Sequence, residues 1–245
     1  MVKQLTVVIP TYNEADNLPK MASALFTLPL PGIKLLVVDD HSPDKTGQLA
    51  EELARTSYPG RISVLHRSGK LGLGTAYVSG FQKAIQEGAE AVAQMDADFS
   101  HPPETLIEFA KALETCDAAL GSRYVEGGRV DERWPLSRRF ISSFGNTYAK
   151  TILRLPMSDV TGGFRAWRKE TLLKMPLDRV RSSGYGFQVE MIYMAYRLGC
   201  SYKEIPIYFE DRRWGKSKMS LQIQLEAALR VWQMLFLYRD LKPNS

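Results

Sequence analysis

Short apolar runs alternate with segments of helical periodicity through the first half of the chain. Leu5 to Ile9, Leu35 to Val38, Ile62 to Leu65, Ala91 to Met95 and Ala118 to Gly121 are too short for helices, and their flanking turn residues predict strands. Between them, helical patterns run from about Asn17 to Phe26, Thr46 to Arg55 and Thr75 to Glu87. A further helix is entered at Pro102-Pro103, where proline suits the first turn. Such alternation predicts parallel strands joined by crossover helices, an α/β three-layer sandwich with a mostly parallel central sheet. The second half is less regular, with helices predicted over Trp134 to Ile152 and Gly186 to Leu198 and a strand over Ile205 to Phe209. Gly127-Gly128 and Ser182-Ser183-Gly184 read as mobile loops. From Ser220 to Tyr238 an amphipathic helix is predicted, with Leu221, Leu225, Leu229, Trp232 and Phe236 on one face and Gln222, Glu226, Arg230 and Gln233 on another. A helix of that kind rests on a membrane, docks a membrane-anchoring subunit, or packs on the protein's own core.

At 245 residues and 44% hydrophobic content the chain can bury one sizeable core, and its 24% charged residues argue against disorder. A formal net charge of +5 fits an anionic partner without choosing among phosphate-bearing substrates, nucleic acid and acidic membrane. The two cysteines, Cys116 and Cys200, form no C-x-x-C pair, which speaks against a disulfide scaffold or a zinc ribbon. The sequence enters its first strand without a signal-peptide pattern and has no apolar run long enough to span a bilayer as a helix. A soluble or peripheral protein on the cytoplasmic side is expected.

In parallel α/β sheets, ligands bind at the carboxyl ends of the strands. The first strand runs into Pro10-Thr11-Tyr12-Asn13-Glu14, the second into Val38-Asp39-Asp40 and the fourth into Asp96-Ala97-Asp98. Carboxylates gathered on one edge repel one another unless a cation or hydrogen-bond donors compensate. Mg²⁺ and Mn²⁺ take hard oxygen ligands, often one or two from protein and the rest from phosphates and water, which suits Asp96 and Asp98. Asp-x-Asp alone is common in solvated turns, and its place after a buried strand gives it weight. The Gly69 to Gly74 stretch opens a helix but fits neither a P-loop nor the dinucleotide fingerprint. Arg123, Arg129, Arg133, Arg138, Arg139 and the basic segment Arg212 to Lys218 supply forks suited to phosphate oxygens. A sugar hydroxyl acceptor would call for a carboxylate base, whereas a phosphate acceptor needs none. His41 and His101 lie in the acidic turns, where surface or supporting roles fit better than catalysis.

Pro-Thr-Tyr-Asn-Glu at 10–14, Val-Val-Asp-Asp-His-Ser-Pro-Asp at 37–44, Lys-Leu-Gly-Leu-Gly-Thr-Ala at 70–76 and Asp-Ala-Asp-Phe-Ser-His-Pro-Pro at 96–103 resemble the GT-A fold glycosyltransferases of family 2. Gly-Ser-Arg-Tyr at 121–124, Asp-Val-Thr-Gly-Gly-Phe-Arg at 159–165 and Arg-Arg-Trp-Gly-Lys-Ser-Lys at 212–218 narrow the resemblance to the dolichol-phosphate (polyprenol-phosphate) mannose synthase branch, over the chain to about Ser220. The resemblance implies a GT-A catalytic domain over 1–220, with residues 221–245 a C-terminal helix and tail. It implies inverting transfer of mannose from GDP-mannose to a polyprenyl (dolichyl) monophosphate in a membrane, with Mg²⁺ or Mn²⁺ as cofactor and no nucleic-acid partner. Pro10, Tyr12, Glu14, Val38 and Asp40 would hold the guanosine. Asp96, Ala97 and Asp98 would contact donor and metal, and Arg212 and Lys218 the diphosphate. Arg123, and across an insertion Arg138 and Ser142, would bind the acceptor phosphate. Asp98, Arg123 and Arg212 would be the residues closest to catalysis. Some relatives carry glutamine where Ser100 stands, and glycine or asparagine where His41 stands.

Two other readings compete. A UDP-glucose:polyprenyl-phosphate glucosyltransferase keeps the fold and changes the donor. A phospho-receiver signalling domain would share an acidic pair, but that pair should follow the first strand and the chain should be about half as long.

Overall fold

The computed structural model describes residues 2–182, 184, 186–211 and 221–243, with the backbone alone over 221–227. Five strands fall where periodicity puts them: β1 (Leu5–Thr11), β2 (Ile33–Asp39), β3 (Ile62–His66), β4 (Ala91–Gln94) and β5 (Ala118–Ser122). The helices α1 (Leu18–Phe26), α2 (Thr46–Thr56), α3 (Leu73–Gln86) and α4 (Thr105–Ala112) connect them. A short strand β6 (Arg129–Val130) then leads to the long helix α5 (Leu136–Leu153). After it come β7 (Arg165–Arg168), α6 (Lys169–Lys174), α7 (Gly186–Arg197), β8 (Tyr202–Pro206), β9 (Tyr208–Phe209) and α8 (Leu221–Leu237).

The main sheet has the order β3-β2-β1-β4-β7-β5-β8, parallel throughout except for β7, which runs antiparallel to both neighbours. Composition alone hides β7, because its four residues begin and end in arginine and carry no apolar alternation. The predicted strand over Ile205 to Phe209 is two elements: β8 closes the main sheet beside β5, and β9 pairs with β6 in a separate two-stranded ribbon.

Both faces of the sheet are covered, so its central strands are apolar on both sides rather than alternating. Val7, Ile9, Leu35 and Val37 face a core shared with α1 and α4, where Leu18, Met21 and Phe109 lie. Val8, Leu36 and Val38 face the opposite core, with Tyr77, Phe81, Trp167 and Phe187. At Gly80 the helix α3 crosses so near β1 that a Cβ would stand 2.4 Å from Val8 Cγ1. Only glycine permits that approach.

Helix α8 docks on this second core through Val231, Met234 and Tyr238. The Tyr238 hydroxyl donates to the buried Glu190 carboxylate on α7 at 2.7 Å, and Arg179 holds Asp240 at 2.7 and 2.9 Å. Of the predicted apolar stripe, Leu229, Trp232 and Phe236 therefore point outward, 66%, 52% and 69% exposed. No helix among the described residues is long and apolar enough to cross a membrane.

Candidate active site

The parallel register brings three acidic turns onto one edge. Thr11 pairs with Asp39 across β1 and β2, and Val8 pairs with Gln94 across β1 and β4, so the segments after β1, β2 and β4 leave the sheet side by side. Each turn contains a non-glycine residue in the left-handed region: Asn13 at φ 63°, His41 at 57° (with Lys45 at 66° where the same turn enters α2) and Phe99 at 62°. That conformation is costly for a side chain bearing a Cβ, most of all for a bulky one, and strain of this kind gathers at functional sites. It also explains why glycine or asparagine suits the place of His41.

The two aspartates that close β2 have different work. Asp39 is buried and accepts from the hydroxyls of Thr11 and Ser42 at 3.1 and 2.5 Å and from the Ser42 N–H at 3.1 Å. It fastens the turn. Asp40 lies 2.8 Å from Arg67 Nη1, an ion pair without hydrogen-bond alignment. Burial pushes the Asp40 carboxyl above its ordinary value, with the Arg67 charge opposing. Beside it, Lys70 Nζ sits 3.6 Å from the Tyr12 ring centroid, a cation–π contact. Pro10 and Val38 are level with each other in the β1–β2 pairing, and Glu14 accepts from Asn17 Nδ2 at 2.8 Å. The glycine-bearing stretch contributes mainly geometry: Gly72, at φ 100°, caps α3.

After β4, Asp96 and Asp98 flank the buried Ala97. Asp98 Oδ1 accepts the Ser100 N–H at 3.0 Å, which folds the turn back on itself. The Ser100 hydroxyl is buried and without a hydrogen-bond partner among the described residues. His101 is 1% exposed, stacks on Phe164 at 4.9 Å, and accepts the Asp96 main-chain N–H on Nδ1 at 3.1 Å. An N–H can only donate, so that bond places the ring proton on Nε2. Tyr77, fully buried, points its hydroxyl at Asp96 Oδ1 from 3.4 Å. Burial first, and the Asp96 charge second, drive the Tyr77 phenol well above its usual range, so it stays a proton donor. His101 has the supporting role expected of its place in the acidic turn, whereas Tyr77 could not be placed here from sequence, because it lies inside a helical pattern that gives no sign of reaching the aspartates.

The arginine side of the site is built at the end of β5. Arg123 Nε and Nη2 donate to the two oxygens of Asp159 at 2.7 and 2.8 Å, and Nη2 also donates to the Thr161 hydroxyl at 2.8 Å. Asp159 further accepts the N–H groups of Arg123, Thr161 and Gly162 at 3.1, 3.2 and 2.9 Å. Burial tends to raise the Asp159 carboxyl, but the Arg123 charge and these donors outweigh it and hold it below its usual range. The same pairing raises Arg123 against its own burial. Behind them, burial draws Arg165 down to about 10, with the Asp159 charge opposing. Its guanidinium donates to the carbonyls of Gln188 and Val160 at 2.5 and 2.7 Å. Asp159, Thr161 and Arg165 stand in a recognisable motif, yet their partnership with Arg123 joins positions 36 or more apart and is visible only in the fold.

Tyr124 links this pair to α5, its hydroxyl 2.9 Å from Ser142 Oγ. Arg138 is turned elsewhere: it lies 3.8 Å over the Trp134 ring and binds Asp211 at 2.7 Å. Arg133 is clamped to Asp131 at 2.5 Å. Arg212 and Lys218 lie outside the described residues. The structure thus brings Tyr12, Asp40, Asp96 and Asp98 to one edge, joins Arg123 to Ser142 through Tyr124, and ties Arg138 to Asp211.

The model of glycosyl transferase family 2 matches residues 6–175. The chain is 44% identical over 226 residues to a polyprenol monophosphomannose synthase of Mycolicibacterium smegmatis, covering 92% of this chain and 84% of the relative. It is 43% identical over 228 residues to an undecaprenyl-phosphate mannosyltransferase of Micrococcus luteus, covering 93% of this chain and 92% of the relative. Among solved structures, a mannosyltransferase of Pyrobaculum calidifontis in complex with GDP-Man and Mn²⁺ superposes with a TM-score of 0.65 at 19% identity, over 98% of this chain and 66% of that one. Glucosyl-3-phosphoglycerate synthase of Mycobacterium tuberculosis, in complex with Mn²⁺, UDP and glucosyl-3-phosphoglycerate, superposes with a TM-score of 0.66 at 18% identity, over 99% of this chain and 81% of that one.

Proposed function

The chain belongs to glycosyl transferase family 2 and has the GT-A fold, and on that premise we propose that it transfers mannose, with inversion, from GDP-mannose to a polyprenyl monophosphate held in a membrane. The observation that carries this reading is the state of Asp159. It is the carboxylate against Arg123, and five N–H groups together with a depressed carboxyl leave it a poor proton acceptor. An alcohol acceptor would lack a base there. A phosphate monoester brings its own anionic oxygen, since its second ionisation lies at about pH 6, and it needs a cation beside it rather than a base. The names of the two curated relatives, one a polyprenol monophosphomannose synthase and the other an undecaprenyl-phosphate mannosyltransferase, support that acceptor and that sugar.

The donor edge fits a divalent cation, Mg²⁺ or Mn²⁺. Asp96 and Asp98 are hard oxygen ligands in one turn, and no group of three His, Cys, Asp or Glu suited to a metal occurs among the described residues. The remaining ligands would come from the diphosphate and water. When bound, such an ion stabilises the negative charge that grows on the departing nucleoside diphosphate. Asp40 accepts the N–H donors of the guanine edge, Pro10 and Glu14 wall the nucleoside, and Tyr12 offers a ring face once Lys70 moves aside; Val38, expected beside them, turns its side chain into the core and can offer only its backbone. Arg123 orients the acceptor phosphate with Ser142, while Arg212 and Lys218 add positive charge around the diphosphate; Arg138, expected beside Arg123, is taken up by Asp211 and Trp134.

The test is product analysis with a short-chain polyprenyl phosphate and Mn²⁺, alongside calorimetric titration with each donor. A β-linked lipid phosphomannose and binding of GDP-mannose are expected. Tight binding of UDP-glucose with no binding of GDP-mannose would overturn the choice of donor, and mannose transfer to water alone would overturn the acceptor.

A further inference from the structure

Gln94, the last residue of β4, is a fully buried amide on the face of the sheet that also carries Val92, against the core of Tyr77, Trp167 and Phe187. An amide in an apolar core is costly unless its hydrogen bonds are made. Here they reach three segments. Gln94 Oε1 accepts from Trp167 Nε1 on β7 at 3.0 Å, while Nε2 donates to the Gly163 carbonyl at 3.0 Å and to Gln188 Oε1 on α7 at 2.5 Å. Gln188 is buried as well, and its own carbonyl accepts from Arg165. A Cβ at position 163 would stand 3.3 Å from Gln188 Nε2, so the glycine turn lies against the two amides. A methionine of similar length would fill the same space, so burial alone does not call for an amide at position 94.

We propose that Gln94 is a positioning residue: its amide, with Gln188 behind it, sets the distance between the acidic turn after β4 and the Asp159–Arg123 pair. Its bonds lead toward both. Along the chain, Asp96 follows two residues later. Across the tie, Gly163 leads back to Gly162, whose N–H is held by the same Asp159 carboxylate that holds Arg123. The backbone pairing of β4 with β7 ends at Gln94 and Arg165. Gly162 and Gly163 lie beyond it and have no side chains with which to anchor themselves, so the bond to the Gly163 carbonyl ties their turn to β4. Neutral amides suit that task, because they hold the tie without adding charge to a site that must balance the charges of its substrates. In-line transfer requires the attacking and departing groups at near contact, and a displacement of about 1 Å costs on the order of a hundredfold in rate. That consequence rests on the proposed reaction, whereas the tie between β4 and residues 159–163 does not.

Two variants of the full chain separate positioning from plain stability. Gln94→Met and Trp167→Phe each leave a buried polar group unpaired, so both should lower the thermal midpoint. Only Gln94→Met frees the Gly163 carbonyl. Hydrogen exchange over residues 159–165, read by mass spectrometry without substrate, should therefore quicken in Gln94→Met and stay near the parent's in Trp167→Phe. In the transfer assay, Gln94→Met should lower kcat by about 10- to 100-fold with the KM of each substrate within about twofold of the parent's, while Trp167→Phe keeps the parent's kcat. Gln188→Glu, which keeps an acceptor for Gln94, should retain more of kcat than Gln188→Met; that pair decides the matter if Gln94→Met does not fold. Unchanged exchange in Gln94→Met would overturn the proposal. So would equal losses of kcat in Gln94→Met and Trp167→Phe, or a loss that falls on KM alone. If the parent chain transfers no sugar to a polyprenyl phosphate, the proposed reaction fails and the exchange result alone decides the tie.

Discussion

On the acidic edge of the sheet, carboxylates stand in turns with strained backbone; at the end of β5, an arginine is held by a buried carboxylate. Asp96 and Asp98 sit around Phe99 and its left-handed backbone, and Asp40 meets Arg67 without hydrogen-bond alignment. Arg123, by contrast, is locked by two oxygens of Asp159 in a buried, relaxed geometry. The difference teaches what each side is for. If the acidic edge takes up a dication and releases a diphosphate, as proposed, its carboxylates are held for that work by the backbone of their turns. A site that must present a fixed cation to an anion fixes it in advance, which reduces the reorganisation needed when the anion binds.

The comparison can be broken at either side. The largest effect is expected from Asp98→Ala, which should lower transfer by a factor on the order of 10²–10³ with little change in thermal midpoint; initial rates across Mn²⁺ and Mg²⁺ titrations check it, and parental activity with an unchanged metal dependence would remove the metal role. Asp159→Ala should act first on the fold, because it leaves Arg123 buried and unpaired, a cost of about 3–5 kcal/mol. Denaturant titration should register that loss, and a weaker acceptor KM without a matching change in donor KM should accompany it.

Acidification should separate the two sides without any mutation. Burial raises the Asp40 carboxyl, so its charged form, which on the proposed reading would accept the guanine donors, is lost at a higher pH than for an ordinary aspartate. Asp159 is shifted the other way: its pairing contributes stability above the unfolded carboxyl value and loses it only as pH falls through the depressed folded value. GDP affinity, followed by calorimetry, should therefore decline before the thermal midpoint does, and a coincident decline would contradict the contrast. Smaller effects probe the supports. Tyr77→Phe removes the hydroxyl facing Asp96 and should cost about 1 kcal/mol, divided between stability and metal affinity. His41→Gly relieves a left-handed side chain but loosens the unfolded chain, so thermal melting should shift by less than about 1 kcal/mol in either direction.

Most of the donor side was legible in the sequence because its residues lie at strand ends, where a parallel sheet dictates their edge. The resemblance to family 2 enzymes added roles to positions that spacing had already grouped. The acceptor side was less legible: Arg123 was recognisable, but the partner that fixes it is 36 residues away and follows an eighteen-residue helix. Strand β7 escaped notice because a buried arginine, satisfied by carbonyls, looks in sequence like a polar interruption. Helix α8 shows a further limit. Its amphipathic pattern was plain, yet the face with the larger apolar residues is the outer one, and burial falls to Val231, Met234 and Tyr238.

The antiparallel insertion of β7 also has a consequence for the order in which the chain can assemble. Strands β1 to β4 find all their mutual partners within the first 94 residues. β5 does not: it pairs only with β7 and β8, both of which follow it in the chain. As the protein emerges from the ribosome, the apolar segment 118–122 must wait more than forty residues for its first neighbour in the sheet. Local contacts form ahead of distant ones, and an unpaired apolar strand is prone to pair wrongly. The half of the sheet built from β1 to β4 can thus be in place while the half built from β5, β7 and β8 is still unformed, and lesions around residues 159–168 should surface first as poor yield of folded protein rather than as a folded enzyme with altered chemistry.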